Sequence, residues 1–146
     1  MTAAFADSSA LVKLYADELG ADMVRALSPL IISQLARVEV PAALWRKHRL
    51  GELSTADTTV LISAFEADYF GTEEDPERFF AVGATAPILD AAAQLAGIYG
   101  LRAYDSVQLA SACSVLREVP EGIRFAAFDQ ALRSAAAREG FQILPE

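Results

Sequence analysis

The sequence contains one cysteine, one histidine, few basic residues and no long apolar run. Cys113 has no second cysteine for an intramolecular disulfide, and its apolar neighbours predict a buried, unreactive thiol. No charge-free run approaches the roughly 20 apolar residues of a membrane helix. The opening segment MTAAFADSS lacks the basic start of a signal peptide. We therefore expect a soluble protein in a reducing cytoplasm, with no membrane partner.

Positive charge is also scarce, because 12 Lys and Arg face 20 Asp and Glu, for a net charge of −8. This balance points away from nucleic acid, which favours a positive surface. The charge is uneven, however: the region 37–49 contains Arg37, Arg46, Lys47 and Arg49, whereas 66–77 is acidic. A local field can favour a polyanion although the total is negative. The basic run is expected either to line an RNA path, with Arg46, Lys47 and Arg49 as contacts, or only to cover a helix surface.

Hydrophobic residues, in contrast, are abundant and make up 53% of the 146 residues. This length and composition predict one packed domain over 1–146. Short apolar runs predict strands near 3–7, 30–32, 123–128 and 141–144, whereas 79–82 fits a strand or a further helical turn. Helices are predicted between them, near 9–15, 21–27, 34–48, 54–70, 87–99, 104–116 and 130–138. Serines are expected to cap three of these helices: Ser8 or Ser9, Ser33 and Ser54. Apolar strands that alternate with helices predict an α/β fold, a three-layer α/β/α sandwich with a central parallel sheet.

Two aspartates follow predicted strands, Asp7 after the first and Asp129 after the fourth. Ligands of open α/β sheets bind outside the carboxyl ends of the strands, so both are candidate site residues. Each also precedes a helix, and the alternative is a simple N-cap.

Two further acids lie at the edge of apolar helix faces, Glu39 beside Val38 and Ala42, and Asp105 one turn before Leu109. A buried carboxylate needs a partner. For Glu39 the alternative is a salt bridge to Arg46, two turns along the helix, and for Asp105 it is a favourable charge at a helix N-terminus. Four acids in one pocket would repel each other and would hold either protons or cations. Oxygen ligands without histidine or cysteine suit Mg²⁺ or Mn²⁺, and such metals can activate water at a phosphodiester.

Four segments resemble the motifs of PIN-domain ribonucleases of the VapC toxin type. FADSSALVKLYADE at 5–18 resembles the opening motif, and ISQLARVEVPAALWR at 32–46 the second. GLRAYDSVQLASA at 100–112 is similar to the third, and FAAFDQALRSAAAREGFQIL at 125–144 to the last. The four segments occur in the family's order, and the resemblance extends over almost the whole chain, from 5 to 144.

This resemblance implies that Asp7, Glu39, Asp105 and Asp129 are the catalytic acids and hold one or two Mg²⁺ or Mn²⁺ ions. Ser8 or Ser9 matches the hydroxyl that follows the first acid and would bind a metal-bound water. The implied activity is endonucleolytic cleavage of structured RNA such as tRNA or rRNA. The implied partners are a cognate VapB-type antitoxin, whose C-terminal segment covers the site, and a second copy of the chain in a homodimer. One departure is Ala127, where family members often have Thr or Ser two residues before the fourth acid.

Other functions remain as alternatives. A phosphatase of the haloacid-dehalogenase type needs a second aspartate where this chain has Ser9. A receiver domain expects a lysine near the end of its last strand, but the last lysine of this chain is Lys47. The second-ranked reading is a catalytically degenerate PIN fold that binds RNA or protein.

Overall fold

The central feature of the fold is a five-stranded parallel sheet, seen in a computed structural model that describes residues 2–146. The strand order is β3-β2-β1-β4-β5, and β1 pairs with its neighbours through Phe5, opposite Ile31 and Phe125. The strands are β1 (Ala4–Ala6), β2 (Leu30–Ser33), β3 (Phe79–Val82), β4 (Arg124–Ala126) and β5 (Gln142–Leu144). The predicted parallel sheet is confirmed, and the undecided segment 79–82 is a strand.

Helices cover both faces of this sheet. They are α1 (Ser8–Leu11), which continues as a 3₁₀ turn (Val12–Leu14), α2 (Ala21–Arg25), α3 (Ala36–Arg49), α4 (Thr55–Phe70), α5 (Ala86–Tyr99), α6 (Ala103–Leu116) and α7 (Gln130–Arg138). No helix within residues 2–146 is both long enough and apolar enough to cross a bilayer.

The two-residue period of the strands produces two hydrophobic clusters. Ala4 and Ile32 point to the face covered by α1–α4, where Leu11, Val40, Leu44 and Phe65 are buried. Phe5 and Ile31 point to the opposite face, covered by α5–α7, where Leu109, Phe125 and Leu132 are buried. The strands are apolar on both sides because both faces of the sheet are covered. The expected three-layer sandwich is therefore confirmed.

Two helix caps and the length of one strand differ from the sequence prediction. Asp7 rather than Ser8 or Ser9 caps α1, because its carboxylate accepts the amide hydrogen of Ala10. Ser33 ends β2 and accepts a hydrogen bond from the Leu35 amide, so it does not cap α3. The fourth strand spans only Arg124–Ala126 and is therefore shorter than the predicted segment 123–128. Ser54 does cap α4, as predicted.

Candidate active site

The four predicted acids line one cavity of about 580 Å³ beyond the carboxyl edge of the sheet. Each is positioned by the start of a different helix. Asp7 caps α1 and Asp129 caps α7, whereas Glu39 and Asp105 lie in the first turns of α3 and α6. Helix N-termini attract negative charge, so four helix starts at one edge of the sheet can hold four acids together.

Asp7 is the most buried of the four, with 4% of its surface exposed. Its Oδ1 accepts hydrogen bonds from the Ala10 amide at 2.9 Å and from the Ser9 hydroxyl at 2.7 Å. Burial raises the pKa of Asp7 to about 7; these two bonds oppose the rise, and the charges of Asp105 and Glu39 add to it. The cavity is therefore a place where negative charge accumulates at a cost in stability.

Glu39 is held by two uncharged donors. Its Oε1 accepts hydrogen bonds from Ser8 Oγ at 2.9 Å and from Gln108 Nε2 at 2.7 Å. Gln108 Nε2 also lies 3.0 Å from Ser8 Oγ, so the three side chains form a closed triangle. The salt bridge to Arg46 that the sequence left open is absent among the ion pairs of residues 2–146.

Asp105 and Asp129 share an arginine that precedes α6. Arg102 Nε lies 3.6 Å from Asp105 Oδ2, and Arg102 Nη2 lies 3.7 Å from Asp129 Oδ1. Burial raises the pKa of Asp105, Arg102 opposes this and Asp129 adds to it. Asp129 uses its other oxygen, Oδ2, to accept the Leu132 amide hydrogen at 3.0 Å. The cap and the cavity contact therefore use different oxygens of one carboxylate.

The chemistry of the donors fits a hard divalent cation, since the four acids offer only oxygen and repel each other. In the described part of the chain, however, no three His, Cys, Asp or Glu side chains are grouped closely enough to hold a metal ion directly. Mg²⁺ commonly keeps several waters and binds through one or two carboxylates, so a wider group of acids still suits it.

Basic side chains also line this cavity. Lys13, Arg46 and Lys47 line it, whereas Arg49 does not. Glu18 bridges the two lysines, at 2.9 Å from Lys13 Nζ and 2.5 Å from Lys47 Nζ. Burial acts to raise the pKa of Glu18, but the hydrogen bonds from both lysines outweigh it and the pKa is lowered. Of the three RNA-contact candidates, two therefore line the cavity, and the charge of Lys47 is already paired with Glu18.

Sequence reasoning missed Lys13, Arg102 and Gln108, all of which line the cavity. Gln108 lies one turn after Asp105 on α6, and that spacing alone would have placed it on the same face. Ala127, the departure from the family pattern, is fully buried among apolar side chains and does not line the cavity.

Comparisons with known proteins identify relatives of this chain. No protein-family model matches the chain. Ribonuclease VapC45 and Ribonuclease VapC49, from two strains of Mycobacterium tuberculosis, are each 33% identical over 156 residues, covering 99% of this chain and 96% of the relative.

Three solved structures share the fold. PAE2754 from Pyrobaculum aerophilum has a TM-score of 0.64 at 22% identity, covering 97% of this chain and 83% of that one. FitAcB from Neisseria gonorrhoeae has a TM-score of 0.61 at 15% identity, covering 96% and 95%. A toxin–antitoxin complex from Klebsiella pneumoniae has a TM-score of 0.56 at 19% identity, covering 87% of each chain.

Proposed function

Because this chain belongs to the VapC family of PIN-domain toxin ribonucleases, we propose that it is a Mg²⁺- or Mn²⁺-dependent endoribonuclease that cleaves structured RNA such as tRNA or rRNA. One observation carries the proposal: Asp7, Glu39, Asp105 and Asp129, far apart in sequence, line the same cavity. A cavity lined by oxygen donors and by basic side chains suits an RNA phosphate and the cation that would accompany it.

The four acids would hold the metal in part through its waters, and the metal when bound would polarise the scissile phosphate and activate water. Ser9 holds Oδ1 of Asp7, and Ser8 holds Oε1 of Glu39, so the two hydroxyls would orient carboxylates in addition to any contact with water. Arg46 lines the cavity and forms no ion pair among the described residues, so it is the cation best placed to bind an RNA phosphate. Lys47 and Arg49 would follow the RNA backbone farther along α3.

A VapB-type antitoxin would be the protein partner, and its segment would cover this cavity. The support is that one structural neighbour is a toxin–antitoxin complex, together with the family of the curated relatives. A homodimer and a cytoplasmic location complete the proposal.

The test is cleavage of total cellular RNA by the purified protein, freed of any antitoxin, with Mn²⁺, with Mg²⁺ and with EDTA. We expect discrete fragments that require metal and disappear in Asp7→Asn. Asp90→Asn is the matched control, because it makes the same chemical change on the exposed side of α5. The sequences at the fragment ends would identify the RNA target.

Absence of cleavage by folded wild-type protein under all three conditions would refute the nuclease. The result would favour the degenerate binding module, and RNA binding without cleavage would then be measured on the same preparation. Equal cleavage by wild type and Asp7→Asn would instead place the reaction outside this cavity.

A further inference from the structure

Gln108 is a buried polar residue whose side-chain nitrogen is hydrogen-bonded, whereas its side-chain oxygen is not. It lies on α6 with 2% of its surface exposed. Its Nε2 donates to Glu39 Oε1 at 2.7 Å and contacts Ser8 Oγ at 3.0 Å. Its Oε1 is inaccessible to solvent and has no hydrogen-bond partner among the described residues. Rotating the amide would place two oxygens face to face, so Glu39 fixes the orientation of Gln108.

The unpartnered carbonyl makes glutamine an unfavourable residue for stability alone. A buried carbonyl oxygen loses its bonds to water and gains nothing in return. An apolar side chain of similar size would avoid this loss, while Ser8 Oγ would still donate to Glu39 at 2.9 Å. A residue that breaks a packing rule at a candidate site is a sign of a functional role.

That role follows from what Gln108 touches. We propose that Gln108 is a positioning residue that holds Glu39 Oε1, so that Glu39 Oε2 is presented to a divalent cation; this inference rests on the proposed metal-dependent function. Asp105 lies one turn earlier on α6. The same rigid helix therefore carries Asp105 and, through Gln108, holds Glu39, so it sets the distance between these two acids.

A neutral donor suits this position better than a charged one. Lysine or arginine would also hold Glu39, but its charge would compete with the cation for the same carboxylates. The amide restrains the flexible glutamate and leaves the negative charge of the site unchanged. Side chains that orient metal ligands in this way typically contribute about 10- to 100-fold to metal affinity.

The experiment measures Mn²⁺ binding to the metal-free full chain by calorimetry, together with urea unfolding in EDTA. Gln108→Met keeps the volume and removes the donor. We expect its Mn²⁺ affinity to fall about 10- to 100-fold, while its unfolding midpoint stays unchanged or rises. Ser111→Ala is the matched control, because Ser111 is buried one turn later on α6 and its hydroxyl donates only to the Val107 carbonyl. Its Mn²⁺ affinity should equal that of wild type.

A double variant tests whether Gln108 acts through Glu39. In the Glu39→Gln background, Gln108→Met should cause no further loss of Mn²⁺ affinity. An equal loss in both backgrounds, or affinity that is unchanged in the single variant, would overturn the proposal. Weaker binding in step with a lower unfolding midpoint would also overturn it, because that pattern indicates a purely structural role.

The failure of this inference is distinguishable from that of the proposed function. If the wild type binds no Mn²⁺, both proposals are contradicted. If the wild type binds Mn²⁺ and cleaves RNA, and Gln108→Met binds Mn²⁺ equally well, only the role of Gln108 is contradicted. If Gln108→Met does not fold, Gln108→Asn replaces it. The asparagine keeps the amide but is one methylene too short to reach Glu39, and the same loss of affinity is expected.

Discussion

Replacement of Asp7 by asparagine should abolish RNA cleavage and at the same time stabilise the fold. Asparagine has the same shape and its side-chain oxygen can still cap α1, where Asp7 accepts the Ala10 amide hydrogen. It cannot ionise, so the cost of a buried negative charge disappears. A gain in stability at the expense of activity is the expected sign of a site residue.

The magnitude follows from the pKa of Asp7, which rises from 3.8 to about 7 on folding. Between these values the folded state binds more protons than the unfolded state, so stability falls as the pH rises through that window and stays low above it. One pKa unit corresponds to about 1.4 kcal/mol, which limits the cost of ionised Asp7 to about 4 kcal/mol. We therefore expect Asp7→Asn to be more stable than wild type by about 2 kcal/mol at pH 5 and about 4 kcal/mol at pH 8.

The assay is urea unfolding of both proteins at pH 5 and pH 8 in EDTA. Asp7→Ala serves as the control, because it also removes the charge but loses the cap, and should be about 1 kcal/mol less stable than Asp7→Asn at both pH values. A difference between wild type and Asp7→Asn that does not grow with pH would refute the reasoning. So would an asparagine variant that is less stable than wild type at pH 8.

Three further substitutions test other parts of the structure. Arg102→Met should raise the pKa of Asp105 further, because Arg102 opposes the rise; a carboxyl NMR titration measures this, and an unchanged pKa would show that the pair does not form in solution. Gly20→Ala should cost about 1–3 kcal/mol in urea, since φ is +92° and a Cβ would lie 2.7 Å from the Phe128 ring; an unchanged midpoint would mean that the ring moves aside. Phe65→Ala should cost about 3–5 kcal/mol, because its ring is fully buried; a thermal unfolding loss below about 1 kcal/mol would contradict this packing.

The fold could be predicted because its signals are local. Apolar runs of three or four residues between helical segments are buried on both faces, as Ala4–Ala6 and Leu30–Ser33 show. Ser54 caps α4 through a bond to Asp57, three residues away. Ser33 failed as a cap because β2 extends through it to pair with Val82, 49 positions later in the chain. The residues next to Ser33 in the sequence cannot indicate a strand partner so far away.

The side-chain contacts within the cavity could not be predicted in the same way. The bond from Gln108 to Glu39 joins residues 69 positions apart, and that between Lys47 and Glu18 joins residues 29 apart. Sequence spacing indicates which face of a helix carries a side chain, but not which side chain from another helix meets it. The salt bridge from Glu39 to Arg46 was a local alternative, whereas in the structure Glu39 accepts hydrogen bonds from Ser8 and from Gln108, which reaches it from α6.

The positions of the acids themselves could be predicted because capping and a role in the cavity are compatible. The sequence presented an N-cap and a site residue as alternatives for Asp129, but the structure divides them between two oxygens: Oδ2 accepts the Leu132 amide hydrogen, and Oδ1 lies 3.7 Å from Arg102. In Asp7 both hydrogen bonds fall on Oδ1, so Oδ2 accepts none from the described residues. An N-cap that follows a parallel strand is fixed at the carboxyl edge of the sheet, where ligands of such folds bind. The hydrogen bond from a backbone amide that caps the helix thus also orients the carboxylate. A local signal for a helix start therefore indicates a position in a cavity that is built from distant segments.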